Sequence, residues 1–403
     1  MQHDYDLLIA GGGLAGNCLA LALKETGLRM AIIEASTRKQ LQASPAAGRA
    51  LALAAGTVKM LEALGIWKGL SQAATAIKNI HISDRGHFGK TRLSAQNENV
   101  PALGYVVIAR DIEEHVANLV NAANIPVICP ARVAGLMSGD EEICISLKQG
   151  NESLGVAAKL LVGADGGNSS VRSLLDIPQQ KTDYGQTAMI TLVKSSLPNN
   201  NTAYERFTPS GPLALLPVGY DHCAVVWTRT NEDAGGLISG GEADFLAELQ
   251  QCFGYKLGEL SMAAPRCAFP VSLIRAMKMV SGRAVIVGNA VHQLHPVAGQ
   301  GFNLGLRDVA QLAEMLIKKH EEDKDIGAAE FLRAYAESRQ KDHDRVIGFT
   351  DALVRIFSND WLALAAARNI GLAIFDQVAV AKSLLARNAM GLAGPMPRLG
   401  GRK

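Results

Sequence analysis

The sequence predicts an α/β fold: a Rossmann-like domain interrupted by an inserted, mostly antiparallel β-sheet and followed by C-terminal helices. Three observations predict it. A strand–glycine–helix–strand unit opens the chain, two later apolar runs end in polar turns, and a β-rich stretch lies between those runs.

Residues 6–10 form a short apolar run of the kind that makes a buried parallel strand. The run stops at Gly11, a helical pattern follows over 14–25, and Gly27 ends it. A second strand over 30–33 leads to Glu34. This is the length of one βαβ crossover. Residues 159–164 and 284–287 read as further central strands, ending at Asp165-Gly166 and Gly288-Asn289. Central strands of such sheets deliver loops to a ligand at their C-terminal ends.

The stretches 188–193, 213–216 and 223–227 are short, β-rich and separated by turn residues such as Pro198 and Asn199 to Asn201, which suits an antiparallel sheet. From Asn303 to about residue 392 helical patterns dominate, with 326–340 and 346–357 the clearest. The expected organisation is a discontinuous dinucleotide-binding domain (1–75, 100–175 and 270–345), a substrate domain (76–99 and 176–269) and a helical region (346–403).

With 403 residues, 48% of them apolar, the chain has material for two or three domains around sizeable cores. Charged residues make up 19% and nearly cancel, at +2, and Lys and Arg are scattered, which argues against a nucleic-acid binder. Six cysteines lie far apart without a C-x-x-C pair, so buried free thiols are expected rather than disulfides or zinc ligands. The histidines show no close metal-binding spacing, and no metal is expected. A polar N-terminus runs straight into the first strand with no signal peptide ahead of it, which suggests the cytoplasm. The apolar stretch 361–375 is interrupted by Arg368 and Asn369 and is too short to span a bilayer.

Gly11-Gly12-Gly13-Leu14-Ala15-Gly16 fits G-x-G-x-x-G directly after a strand and at the opening of a helix. Its glycines permit a tight turn and let backbone amides approach a pyrophosphate. Glu34, at the end of the second strand, is placed to accept hydrogen bonds from a ribose. Together these predict dinucleotide binding through Gly11, Gly13, Leu14, Ala15, Gly16 and Glu34. A second glycine-rich helix entry runs from His295-Pro296 through Gly299-Gln300-Gly301-Phe302-Asn303, and its exposed amides and dipole favour an anion.

Three segments resemble the class A flavoprotein hydroxylases: the glycine motif with Glu34, the 163–166 segment followed by Ser170-Val171-Arg172, and the 288–308 segment. Further stretches, among them Ser83-Asp84-Arg85-Gly86-His87, Glu205-Arg206-Phe207-Thr208, Gly211-Pro212-Leu213-Ala214 and Arg368-Asn369-Ile370-Gly371-Leu372, resemble that family's ubiquinone-biosynthesis branch, which acts on 2-polyprenyl-6-methoxyphenol. The resemblance implies a p-hydroxybenzoate-hydroxylase-like fold, bound FAD, NAD(P)H as a transient reductant and O2 as co-substrate. It also implies hydroxylation of a polyprenylated phenol through a flavin C4a-hydroperoxide. No second G-x-G-x-x-G is visible for the nicotinamide, which fits transient docking.

By the same resemblance Arg49, Arg110, Asp165, Asn289, Pro296, Gly299, Gly301, Phe302 and Asn303 join the FAD contacts. The helix start at Gly299, Gln300 and Gly301 would stabilise the reduced flavin anion. Most of the family carries Asp where this chain has Asn289; Asn keeps an acceptor, adds donors and loses the charge. A substrate nearly insoluble in water implies peripheral contact with the inner membrane, or with other ubiquinone-biosynthesis proteins, through apolar C-terminal helices and cations such as Arg345, Arg355 and Arg368. Two other readings are an FAD oxidoreductase of this fold without oxygen insertion, such as a prenyl reductase, and a non-catalytic subunit of a ubiquinone-synthesis assembly.

Overall fold

The computed structural model describes residues 3–85, 89–357, 378–392 and 397. The chain begins with β1 (Tyr5–Ala10), α1 (Leu14–Leu23) and β2 (Met30–Ile33), and β1 pairs in parallel with both β2 and β3 (Glu152–Gly163). Leu7, Leu8 and Ile9 are fully buried, as a strand covered on both faces requires. Two antiparallel strands, Arg132–Ser138 and Ile143–Gln149, extend this sheet along the N-terminal part of β3.

The inserted sheet contains β4 (Gln179–Ser195), β5 (Thr202–Phe207), β6 (Leu213–Val218), β7 (His222–Thr230) and β8 (Cys267–Ala276). The order β8-β4-β7-β6-β5 is antiparallel throughout, and β5 adds the strand Asn79–Asp84 in parallel. Alternation divides its two faces. Met189, Leu213, Leu215, Val225 and Trp227 form a second core with Phe245, Leu249 and Phe253 of the helix Glu242–Phe253. The opposite face meets the first domain: Ala203 packs with Ile77 and Val106, and Phe207 packs with Val297.

The chain then returns to the parallel sheet with β9 (Ala284–Ile286), which pairs with β3. Two helices follow, α2 (Gln300–Glu321) and α3 (Ala329–Phe357). The expected helices over 326–340 and 346–357 are therefore one helix of 29 residues. The polar stretch 341–345 reads as a break, yet two of its side chains are held by other elements, Asp342 by Arg307 and His343 by Asp308, while the exposed Asp344 pairs with Arg275 at the surface. The expected boundary at 345/346 falls inside this helix. The boundary at 269/270 likewise falls inside β8, which stays in the inserted sheet to Ala276.

None of the six cysteines forms a disulfide, but only Cys18, Cys223 and Cys252 are buried; Cys129 is exposed, and Cys144 and Cys267 are partly so. No helix among the described residues is long and apolar enough to cross a membrane. The stretch 361–375, with Arg368 and Asn369, lies outside the described residues, as do Gly86 and His87.

The tightest contact in the opening unit is between α1 and the turn before it. A β-carbon on Gly16 would lie 1.9 Å from the Gly11 carbonyl oxygen, so the helix must move to accept one. Overpacking of this kind costs about 1–3 kcal/mol. Gly16→Ala should lower the denaturation midpoint of the cofactor-free protein accordingly. Gly155→Ala, whose added carbon meets nothing within 4 Å, should leave it unchanged.

Candidate cofactor and active site

The strand register sets the site. Ala10 pairs with both Ile33 and Gly163, and Gly163 pairs with Ile286. The residues that follow these pairs therefore emerge side by side at one sheet edge: Gly11 to Gly13, Glu34, Asp165, and Gly288-Asn289. Glu34 is held by its two oxygens, Oε2 accepting from the Gly12 amide and Oε1 from the Ser36 amide, both at 2.7 Å. Each oxygen keeps a lone pair for a ribose hydroxyl. A β-carbon on Gly13 would meet nothing within 4 Å, and α1 has no side-chain cap, so its first amides face open space. Leu14 is buried in the core, and Ala15 lies against Gly288. Asp165 accepts from Ser170 Oγ (3.0 Å) and the Val171 amide (3.1 Å) through Oδ2, while its buried Oδ1 has no partner.

Asn289 is exposed on a short turn, Gly288–Ala290, that is anchored from two sides. Arg172 Nη1 donates to the Ala290 carbonyl at 2.9 Å. Behind the turn lies Asp308, whose Oδ2 accepts from His292 Nε2 (2.9 Å) and the Gly288 amide (3.4 Å). Its Oδ1 accepts from Arg339 Nε (2.8 Å) and His343 Nε2 (2.6 Å). Burial alone would raise the Asp308 pKa, but attraction to His343 and Arg339 and the histidine hydrogen bonds outweigh it and hold the carboxyl well below the usual range. His292, Asp308 and His343 bring three potential metal-ligand atoms within 4.8 Å of one another, a cluster that sequence spacing did not reveal. The Arg339 guanidinium already compensates the carboxylate there, and a divalent cation would have to share the space with it.

The second turn enters α2 through Ala298 (φ 58°) and Gly299 (φ 57°), both left-handed. The helix has no side-chain cap, and a β-carbon on Gly301 would meet nothing within 4 Å. Pro296 starts this turn, Gln300 donates to the Ala298 carbonyl (3.2 Å), and Phe302 packs on the main core. Asn303 is turned inward. Its Oδ1 accepts from the Ala54 amide (2.9 Å) and Thr57 Oγ1 (2.6 Å), and its Nδ2 donates to the carbonyls of Ala52 and Gly299. That side chain is fully used in fixing the turn, so any cofactor contact from Asn303 runs through its backbone.

His295 is the histidine nearest this turn. Its Nδ1 accepts from the Val297 amide (3.1 Å), which leaves Nε2 to donate to Gln186 Oε1 (3.2 Å). Burial lowers its pKa to about 4, so at neutral pH it is an uncharged link between the two domains, with both nitrogens occupied.

Arg49 and Arg110 are brought together by the bond from the Ala109 amide to the Arg49 carbonyl (2.8 Å). Both guanidinium groups are about half exposed, with Arg49 3.6 Å from Glu113 and Arg110 3.8 Å from Asp111.

The sequence pattern gave no role to the buried Asp308 and Thr228 or to the partly buried Glu205. Glu205 Oε1 and Thr228 Oγ1 are buried without a partner, a condition that costs about 1–3 kcal/mol per group. The available signal for Glu205 was a charge at an inward position of an alternating strand.

Residues 4–350 match the family model described as FAD binding domain. Ubiquinone hydroxylase UbiL of Rhodospirillum rubrum is 36% identical over 402 residues, covering 97% of this chain and 91% of that protein. The chain belongs to the class A flavin hydroxylases. The 3-demethoxyubiquinol 3-hydroxylase of Escherichia coli is 28% identical over 393 residues, covering 97% of this chain and all of that one. The crystal structure of p-nitrophenol 4-monooxygenase PnpA from Pseudomonas putida superposes with a TM-score of 0.80 at 17% identity, over 98% of this chain and 99% of that one, and shares its fold.

The residues present in this hydroxylase fit FAD. The space in front of Gly13 and Gly301, the uncapped starts of α1 and α2, and the Asp165 Oδ1 without a hydrogen-bond partner offer it donors and an acceptor. Gly13→Val should give a folded protein with little or no FAD, because the new side chain enters the open space that the pyrophosphate needs. Flavin absorbance per mole of purified protein is the check, and normal flavin content would contradict the placement.

Proposed function

We propose that this hydroxylase uses reduced nicotinamide and O2 to hydroxylate a polyprenylated methoxyphenol in ubiquinone synthesis. The observation that supports the reading is the convergence of the strand-end loops at one sheet edge, together with an apolar face of the inserted sheet whose Phe207 packs on Val297 in the turn before α2. The names of the relatives, which span nearly the whole chain, favour a prenylated ring as the occupant.

In this reading Gly13, Leu14, Ala15 and Gly16 offer backbone amides to the pyrophosphate, Gly11, whose own amide donates to the Ile33 carbonyl (2.7 Å), makes the tight turn, and Glu34 takes the ribose. Arg49 and Arg110 serve the phosphates, and Asp165 and Asn289 take the ribityl side. Pro296, Gly299, Gln300, Gly301, Phe302 and Asn303 present the start of α2, whose dipole favours negative charge on the flavin ring. Bound FAD supplies hydride acceptance from NAD(P)H and activation of oxygen. The chain's own task is to orient ring and phenol and to exclude water, and the packing of Phe207 with Val297, Val354 and Phe357 seals the sheet against the turn before α2. A short-tailed 2-methoxy-6-prenylphenol should stimulate NAD(P)H oxidation with matching oxygen uptake and a hydroxylated product. NAD(P)H oxidation without oxygen uptake would indicate a reductase.

The reading extends to a membrane surface as the source of substrate. Phe349, Ile356, Val378 and Leu384 are exposed apolar side chains near the C-terminus, whereas Val346, Ile347, Val354 and Phe357 are buried in the core. Arg345 and Arg355 flank them, each also bonded to an aspartate. Ile356→Ser combined with Leu384→Ser should reduce cosedimentation with phosphatidylethanolamine–phosphatidylglycerol vesicles at unchanged FAD content. Equal cosedimentation would remove these residues from any membrane role.

A further inference from the structure

Glu205 stands in the middle of β5, and the alternation of that strand fixes where it faces. Tyr204 and Arg206 point toward the second core, Tyr204 packing there and Arg206 Nη1 donating to the Phe253 carbonyl. Ala203 and Phe207 point the other way, toward Val106 and toward Val297 in the turn before α2. Glu205 shares their face. Its register partners, Ile82 on one side and Ala214 on the other, are apolar. The carboxyl thus lies among apolar neighbours on the sheet face turned toward the turn before α2, with Oε1 buried and without a partner.

The other acid–base groups around this space are already engaged. His295 has both ring nitrogens bonded. Tyr184, whose ring meets His295 edge-on at 5.4 Å, donates its hydroxyl to Asp351 (2.9 Å), and Arg355 holds the other oxygen of that carboxylate. Asp84, paired in register with Phe207, is engaged within the protein. Thr228 offers a second hydroxyl without a partner on the inserted sheet, but a hydroxyl is no base at neutral pH.

We propose that Glu205 is a catalytic base that accepts the hydrogen bond, and then the proton, of the substrate's phenol hydroxyl. The phenol O–H bond breaks as a carboxyl O–H bond forms, and the protein gains or loses no electrons. The charge left on the phenol oxygen spreads to the ortho and para carbons of the ring, which then attack an electrophilic oxygen more readily. The proton leaves Glu205 for solvent as the product departs. Burial raises the Glu205 pKa to about 7, where a general base combines sufficient ionisation with sufficient basicity. This role rests on the hydroxylase reading above.

The test uses the FAD-loaded protein, 2-methoxy-6-prenylphenol and reduced nicotinamide, with kcat followed against pH. Wild type should show activity rising with pH through a midpoint near 7, because only the ionised carboxyl accepts a proton. Glu205→Gln should retain FAD, lose that rise, and hydroxylate on the order of 10²-fold more slowly or worse. Glu205→Asp should keep the rise at an intermediate rate, and it carries the test if the Gln variant does not fold. A Gln variant with wild-type kcat and pH dependence, or an Asp variant without the rise, overturns the assignment of the base and leaves the hydroxylase reading intact. An FAD-loaded wild type that hydroxylates no phenol overturns the hydroxylase reading and the base assignment with it.

Discussion

One buried carboxylate holds together the parts that must agree at the cofactor cleft. Asp308 lies on α2, Arg339 and His343 on α3, and His292 and the Gly288 amide beside the Asn289 turn, so a single side chain fixes two helices and one loop. Removing one partner from such a buried group typically costs about 3–5 kcal/mol, because the remaining charge has no substitute for water. The same anchoring permits a close approach that glycine alone allows. A β-carbon on Gly305 would lie 3.1 Å from the Gly288 α-carbon, and Gly288 itself has a φ of 61°. The turn that presents Asn289 is thereby pressed onto the helix whose N-terminus lines the same cleft.

A second, uncharged link works across the domains. His295 is bonded to Gln186 at the edge of the inserted sheet, and Gln186 in turn donates to the Ser210 carbonyl (3.0 Å). A charged imidazole here would have to be desolvated, which is why burial depresses its pKa and keeps it neutral. His295, His81 and His292 are all shifted downward by burial. For each, the unfolded chain binds a proton more readily than the folded one, so their contribution to stability is lost as pH falls below about 6.5, the unperturbed histidine value. Burial thus keeps His292 and His295 uncharged at neutral pH, while it raises Glu205 to about 7.

The parallel sheet was legible because its strands are continuous apolar runs ending in glycine or polar residues, the signature of central strands. Gly11 to Gly16 and Glu34 could be placed by spacing alone, since a βαβ unit brings consecutive strand ends together. What spacing could not show was anything assembled from distant segments. Asp308 is 16 residues from His292 and 35 from His343, and no local pattern joins them. The polar stretch 341–345 reads as solvated for the same reason: Asp342 and His343 find their partners only in the distant Arg307 and Asp308. Asn303 illustrates a subtler limit. Its position beside the glycine-rich turn was read correctly, but its side chain secures the turn from inside.

The account's central claim is that this cleft transfers an oxygen atom to a phenol. Turnover of 2-methoxy-6-prenylphenol under 18O2 in ordinary water, followed by mass spectrometry of the product, tests it most directly. One 18O atom in the new hydroxyl is the predicted result. A hydroxylated product without label, or labelled NAD(P)H-dependent hydrogen peroxide with no hydroxylated phenol, would contradict it.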